Sequence, residues 1–355
     1  MKRIFHIITT IENGGAEKQL LVLASEQIAL GHIVEIIPLK GKLELEKKLI
    51  SHGAKVNSSL LNKNPLIQLI MLRLYFRKRN PDTDIIHAHL PRAELISAFA
   101  NKHLKFFITR HNSELFLPGG PRFISNFLSK LVISRSNKCI AISKAVAEFL
   151  IASNEIFDGG KIEIVHYGFM PDDIQSNEYG YKKNFIIGTI SRLEPQKDLY
   201  TLLNAFAEFI KVKENGILFI IGDGNMRLEL EQYCNQIGIS DKVIWVGKVQ
   251  NVHDYLKKFK LFVLSTNYEG FGLVLLEAMQ HGLPILASNN SAIPEVLGET
   301  SYSLFETGNS RILAIKMLEL TQEKFRIKLA EENRARLAKF EPTEMAMKIM
   351  KIYDH

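Results

Sequence analysis

The chain has 355 residues, 46% hydrophobic and 23% charged, a length and balance that fit two soluble globular domains and exclude a disordered or fibrous chain. No apolar run approaches the roughly 20 residues needed to cross a bilayer, and two distant cysteines in apolar surroundings, Cys139 and Cys234, exclude a disulfide framework or a cysteine metal site and fit a reducing compartment. The net charge of +7 lies almost wholly within residues 1–180, where it suits an anionic membrane surface, an anionic acceptor, nucleic acid or a simply solvated basic face.

In chain order, Ile4–Thr9 reads as a strand. The apolar run after Met1-Lys2-Arg3 soon meets polar residues and Gly14-Gly15, so it is not a signal peptide. An amphipathic helix over Ala16–Leu30 ends at Gly31, and Ile33–Pro38 is again a strand. Strands follow at Ile85–His89, Phe106–Thr109 and Cys139–Ile142, each before a helix-competent segment. Strands alternating with helices imply an α/β fold with a mostly parallel sheet covered on both faces. Ligands then bind beyond the carboxyl ends of the strands, which points to Thr10–Ala16, His87–Arg92, Thr109–Glu114 and Ser143. His87 and His89 alternate along a strand end and are expected to face opposite sides, a poor metal pair. Asp82-Thr83-Asp84 spells a D-x-D metal-binding pattern, but it precedes its strand and reads as an entry turn, so no metal is required.

Two stretches of this half are basic and amphipathic. Leu66–Arg79 combines an apolar face with Arg73, Arg77, Lys78 and Arg79. Between Glu114 and Glu148 there is no acidic residue, while Arg122, Lys130, Arg135, Lys138 and Lys144 occur. Such segments either pack on a core with a charged outer face or lie on anionic lipid. They lack the aromatic interleaving of single-strand nucleic-acid binders.

A stretch richer in Gly, Asp, Asn and Pro places a linker between about 168 and 184. The alternation then restarts, with strands Phe185–Ile190, Gly216–Ile221, Lys242–Val246, Leu261–Leu264 and Ile285–Ala287. Helices are expected over Tyr200–Lys213, Met226–Gly238, Val252–Phe259 and Leu273–His281. The tail, Arg311–Tyr353, is helical and broken at Pro342. The expected division is 1–170, 171–340 and a last helix, 341–355, free to pack on the first domain.

The densest chemistry lies in Leu261–Leu297. A buried strand opens into a glycine-bearing turn, and a helix start there offers backbone N–H groups to an anion. Glu269 in the loop and Glu277 two turns along the helix can accept hydrogen bonds from a polyhydroxylated ligand whose phosphates face those amides. Arg192 and Lys197 follow a strand in a loop with Pro195, where a diphosphate would lie. Gly222-Asp223-Gly224 follows a strand but fails as a full G-x-G-x-x-G, which argues against a nicotinamide cofactor.

Five segments carry a resemblance: ISRLEPQKD (190–198), IIGDGNMRLELE (220–231), VIWVGKV (243–249), NYEGFGLVLLEAMQHGLPILAS (267–288) and IPEVL (293–297). In order and spacing they resemble the nucleotide-binding half of the retaining glycosyltransferases of family 4. NGGAEKQL (13–20), HAHLPRA (87–93), TRHN (109–112) and ISKAV (142–146) match the other half more loosely. The resemblance implies the GT-B fold, two Rossmann-like domains with parallel sheets facing a central cleft and a C-terminal helix crossing back. It implies a hexosyltransferase that moves a sugar from a nucleotide-diphosphate donor, a UDP-sugar, to an acceptor hydroxyl on a glycan or lipid-linked intermediate, with retention and without a metal or other cofactor. Glu269 would hold the sugar and Glu277 the ribose, Arg192 and Lys197 the diphosphate. Gly270, Phe271, Gly272 and Leu273 would meet phosphate or sugar oxygens, Gly15 a donor phosphate, and Gly247 would frame the base. His111, with His89 and Asn112, would stand near the reacting sugar and the acceptor, the alternative for the histidines being a satisfied place in the core, and Glu295 would help close the nucleotide pocket or serve simply as a helix-start acid. Ser191 and Asp198 stand where the family often has glycines. The implied location is cytoplasmic, peripheral at the inner face of the plasma membrane. A GT-B sugar-nucleotide epimerase and a non-catalytic nucleotide- or nucleic-acid-binding protein are the alternatives.

Overall fold

The computed structural model describes residues 1–156, 159–171 and 184–354. The chain forms two compact units, Met1–Met170 joined by Phe340–His355, and Pro171–Lys339. Most of the expected linker lies outside the described residues.

The first unit holds strands β1 (Arg3–Ile8), β2 (Ile33–Pro38), β3 (Lys55–Val56), β4 (Asp84–His89), β5 (Lys105–Arg110), β6 (Lys138–Ala141) and β7 (Ile162–Ile164). They form one parallel sheet in the order β3-β2-β1-β4-β5-β6-β7. Ile4, Phe5, Ile7 and Ile8 are all fully buried, as continuous apolar strands must be when helices cover both faces. The order reverses between β1 and β4, which makes the carboxyl ends of these two strands the ligand-facing crevice.

The last helix, Pro342–Asp354, belongs to this unit. Pro342 starts it rather than breaking a longer one, because a missing N–H is harmless in a first turn. Met345, Ala346, Ile349, Met350 and Tyr353 bury against Val22, Leu23, Ile85, Phe107 and Ile140. Full burial of one such aliphatic side chain contributes about 1.5–3 kcal/mol, so the helix is a structural part of the unit.

Helix Pro65–Phe76 turns the expected pattern round. It buries Gln68, Leu72 and Phe76 and leaves Leu66, Ile67, Ile70 and Leu74 exposed. Gln68 can be inside because its amide donates to Leu39 O (2.6 Å) and Leu60 O (2.8 Å) and accepts from Arg92. A buried polar group costs little once its partners are supplied.

The second unit repeats the plan with β8 (Phe185–Ile190), β9 (Gly216–Ile221), β10 (Val243–Gly247), β11 (Leu261–Leu264), β12 (Ile285–Ser288) and β13 (Leu304–Phe305), parallel in the order β10-β9-β8-β11-β12-β13. Its core joins Leu202, Phe206 and Phe209 of helix Leu199–Val212 to Leu218, Leu261 and Val263 of the sheet and to Leu313 and Met317 of helix Ser310–Glu319. Here the order reverses between β8 and β11, and the two loops that leave those strands carry Arg192, Lys197, Glu269 and Gly272.

Candidate functional site

In the second unit the loops after β8 and β11 are stitched together by hydrogen bonds to their backbone carbonyls. Asn267 N donates to Gln196 O (2.8 Å), Gln196 Nε2 to Tyr268 O (2.9 Å), and Thr266 Oγ1 to Gln196 O (3.0 Å). This frame brings Lys197 Nζ to 2.5 Å from Glu269 Oε2, with the two side chains only 9% and 18% exposed. Asp198 takes a left-handed backbone (φ 42°), a conformation open to Asp and Gly but costly for most residues. Its carboxylate accepts from Thr201 Oγ1 at 2.6 Å. Arg192 is more exposed and pairs with Glu194 at 2.9 Å.

The glycines of the 222–224 turn support this loop. Leu193 N donates to Asp223 O (3.1 Å), Ser191 N to Ile221 O (3.0 Å) and Met226 N to Leu193 O (3.1 Å). Gly222 has φ 123°, and a Cβ there would stand 1.9 Å from Ser191 O. The turn is a platform on which the Arg192 loop rests. Gly247 completes it, its carbonyl accepting from Gly222 N at 2.9 Å.

After Glu269, Gly270 and Phe271 are buried, and Gly272 (φ 85°, ψ 54°) turns the chain into helix Leu273–Gln280. No side chain caps that helix, so the helix start keeps its affinity for an anion. Glu277 is half-buried on its second turn, among buried Leu275, Leu276, Ala278 and Met279. Two supports escaped the sequence reading. Ser288 Oγ accepts from Thr266 N (2.9 Å), and Asn290 Nδ2 donates to Thr266 O and Thr307 Oγ1 (both 2.8 Å). Both follow or end strand β12, the position where the strand-end rule would have found them. Glu295 lies in the first turn of a short helix, Ile293–Leu297, and its main-chain carbonyl accepts from Arg336 Nη2 at 3.0 Å.

In the first unit, Gly15 is the exposed first residue of helix Gly15–Ala29. The crevice between β1 and β4 is lined from within by histidines. His87 and His89 do not face opposite sides: their ring centroids are 4.2 Å apart, because residues i and i+2 of a strand share a face. His6, paired with His87 in the β1–β4 register, completes the cluster and was not singled out from the sequence. His6 Nδ1 meets His89 Nε2 at 2.9 Å, His89 Nδ1 meets His111 Nε2 at 3.0 Å, and His111 Nδ1 meets the Tyr167 hydroxyl at 2.6 Å. His6 Nε2 lies 2.7 Å from Gln27 Oε1, and His87 lies 2.6 Å from the Tyr353 hydroxyl and 2.7 Å from Thr109 Oγ1. Burial lowers the pKa of His6 to about 4 and of His111 to about 3, and holds His87 and His89 well below the ordinary value.

Ligand atoms of His6, His87 and His89 lie within 4.8 Å of one another, yet all six ring nitrogens of the trio already have protein partners. Both His111 nitrogens are likewise engaged, and Asn112, exposed, donates to Glu114 at 3.0 Å. Asp84 enters β4 with its carboxylate accepting from Asn80 N (3.1 Å) and Thr83 Oγ1 (3.0 Å), an entry turn at the opposite end of the strand from His89.

Comparison with known proteins covers both halves. Residues 172–339 match the family described as glycosyl transferases group 1, and residues 13–173 match glycosyltransferase family 4. The chain is 27% identical to N-acetyl-alpha-D-glucosaminyl L-malate synthase of Bacillus anthracis over 82% of its own length and 81% of the relative's. It is 26% identical to a Campylobacter jejuni alpha-1,4-N-acetyl-D-galactosaminyltransferase acting on an undecaprenol-linked glycan, over 99% of its own length and 98% of that protein. In fold it is similar to Anabaena HepE in complex with UDP and glucose, with a TM-score of 0.79, 20% identity and 99% of each chain covered.

Proposed function

Since this chain belongs to the glycosyltransferases of group 1 and family 4, with the two Rossmann-like domains of the GT-B fold, we propose that it transfers a hexose from a UDP-sugar to a hydroxyl of a glycan or lipid-linked acceptor, with retention and without a metal. The observation that carries this reading is the Lys197–Glu269 pair at the point where the β8–β11 strand order reverses.

On this reading Glu269 binds sugar hydroxyls while Lys197 and Arg192 meet the diphosphate. Negative charge grows on that diphosphate as the glycosidic bond breaks, so fixed cations favour the transition state over the ground state. Lys197 has three N–H donors; one is spent on Glu269, which holds the ammonium still. The left-handed Gly272 lets the backbone approach the donor beside the uncapped helix start, and Glu277 takes the ribose hydroxyls. No protein nucleophile is needed if the donor phosphate receives the acceptor proton. UDP and glucose in the Anabaena protein of similar fold support the donor class, and the undecaprenol-linked substrate of the Campylobacter relative supports the acceptor class.

A lipid-linked acceptor also accounts for the outer face of the first unit. Helices Pro65–Phe76 and Arg122–Arg135 both pack on helix Pro91–Ala100. Neither of the two contains an acidic residue. They expose Leu66 (69%), Ile70, Leu74, Phe123 (75%) and Phe127 beside Arg73, Arg122 and Arg135, and Arg135 lies over the exposed ring of Phe99 between them. Apolar side chains among cations suit an anionic bilayer surface. Among the described residues no helix is long and apolar enough to cross a membrane.

The test is donor binding by thermal shift and calorimetry against UDP- and GDP-sugars. UDP-sugar should stabilise the wild type, and Lys197→Ala and Glu277→Ala should each weaken it at least about ten-fold, the loss of one charged hydrogen bond. Unchanged affinity in both variants would sink the proposed site. NMR of the product anomer decides retention, and turnover without an acceptor would favour an epimerase.

A further inference from the structure

We propose that the buried line of side chains running from Tyr167 through His111, His89 and His6 to Gln27 is a positioning relay, which sets the tautomer and ring orientation of His111 from the interior of the first unit. Its structural part stands by itself; its consequence for turnover rests on the expectation, from the family resemblance, that His111 stands near the reacting sugar and the acceptor.

With Gln27 Oε1 facing His6, hydrogen-bond accounting sets the proton on every ring. Gln27 is fully buried, with Oε1 toward His6 and Nε2 toward the Tyr353 hydroxyl (3.4 Å). A carbonyl oxygen only accepts, so His6 carries its proton on Nε2. A neutral His6 then has a bare Nδ1, which accepts from His89 Nε2–H. That leaves His89 Nδ1 bare to accept from His111 Nε2–H, and His111 Nδ1 accepts from the Tyr167 hydroxyl. On the other side Gln27 Nε2–H donates to Tyr353, whose hydroxyl donates to His87 Nδ1, and His87 Nε2–H donates to Thr109 Oγ1.

One amide therefore polarises both branches. Neither His6 nor His89 can change tautomer or gain a proton without setting donor against donor at a neighbour, and a tautomer change at His111 would leave its bare Nε2 facing the bare Nδ1 of His89; a buried mismatch of that kind costs the desolvation of an unsatisfied group. The backbone next to His111 is held from its other side. Arg110 lies 3.0 Å from Glu94 and 3.4 Å from Glu155, donates to Ser129 Oγ at 2.9 Å, and Phe116 N donates to Glu155 at 3.1 Å. His6, His89, Gln27 and Tyr167 are thus positioning residues for His111. A metal on the same three histidines is the competing arrangement, and it would require these bonds to be given up.

The experiment is long-range ¹⁵N–¹H NMR of the histidine rings in the full chain. The expected result is four neutral Nε2–H rings from pH 5.5 to 8, with couplings across the hydrogen bonds from His111 to His89 and from His89 to His6. An Nδ1–H ring among them, a ring titrating near 6.5, or stoichiometric zinc uptake that removes the couplings would overturn the relay. Two variants separate orientation from mere packing. Gln27→Glu keeps an acceptor for His6 and should keep the wild-type pattern at His111, whereas Gln27→Leu should lose it; identical spectra for both overturn the relay. Tyr167→Phe should lower kcat about ten-fold or more with the donor KM unchanged, as expected when a reacting geometry is loosened. Intact couplings in the wild type with unchanged kcat in Tyr167→Phe would overturn the functional reading of His111 and leave the hydrogen-bond line as scaffold, so the two failures are distinguishable.

Discussion

Lys197 and Glu269, 72 residues apart in sequence, meet at 2.5 Å because β8 and β11 are neighbours in the sheet. Each carries a charge into a largely enclosed place, so removing one leaves the other poorly compensated. Lys197→Met or Glu269→Gln alone should cost about 2 kcal/mol of stability, less than for a fully buried pair because Glu269 retains some solvent. The double variant should recover part of that loss. Urea unfolding of the wild type and the three variants gives the coupling energy, and strictly additive losses would show that the pair does not interact.

Two glycines with positive φ separate strain from collision. At Gly238 (φ 71°) a Cβ would have nothing within 4 Å, whereas at Gly222 it would meet Ser191 O at 1.9 Å. Gly238→Ala should cost about 1 kcal/mol, the backbone strain alone. Gly222→Ala should cost about 3 kcal/mol or more and weaken nucleotide binding as well, since the Arg192 loop must move. Equal melting temperatures for the two variants would contradict the platform described for that loop.

The histidine cluster should make the first unit acid-sensitive. In the folded state His6, His87, His89 and His111 stay neutral because burial depresses their pKa, to about 4 for His6 and about 3 for His111. Unfolded histidines protonate near 6.5. Their contribution to stability is therefore complete above pH 6.5 and is lost as pH falls toward about 4. Glu94 runs the other way. Burial raises it to about 7 against the pull of Arg110, so its contribution is complete below 4.5 and fades as pH rises through 7. Between pH 4.5 and 6.5 these five groups predict a net uptake of about three protons on unfolding. The slope of unfolding free energy against pH measures it, and a flat profile would contradict the neutral cluster.

The exposed apolar face offers a test in which folding is not at risk. Leu66, Ile70 and Phe123 stand in solvent, so Ile70→Asp and Phe123→Asp should leave the melting temperature within about one degree, as substitutions away from core features do. Both should reduce flotation with anionic liposomes several-fold, while neutral liposomes bind neither wild type nor variants. Equal flotation of wild type and variants would remove this face from the membrane hypothesis.

Much of this molecule was legible in the chain itself. Apolar runs each followed by a helix-competent segment mark the long strands, because a strand covered on both faces must be apolar throughout. The candidate site was legible as well: Arg192, Lys197 and Glu269 stand in loops that leave strand ends and Glu277 on the second turn of the helix that follows, and the resemblance of those segments singled them out. Asp198 shows the same logic: it is one of the residue types that accept the left-handed backbone the loop requires there. The edge strands β3, β7 and β13 were not legible, since two or three residues carry no periodicity.

What only the tertiary structure decided depends on partners far away in sequence. Gln68 is buried and Leu66 exposed because backbone carbonyls of Leu39 and Leu60 meet the amide, against the pattern that polarity alone suggests. Strand alternation should have put His87 and His89 on one face, but that His6 and His111 join them follows from the pairing of β1 with β4 and of β4 with β5. Whether a histidine is a ligand, a base or a link in a line of hydrogen bonds is settled by what stands opposite its two nitrogens, and those neighbours are chosen by the sheet order.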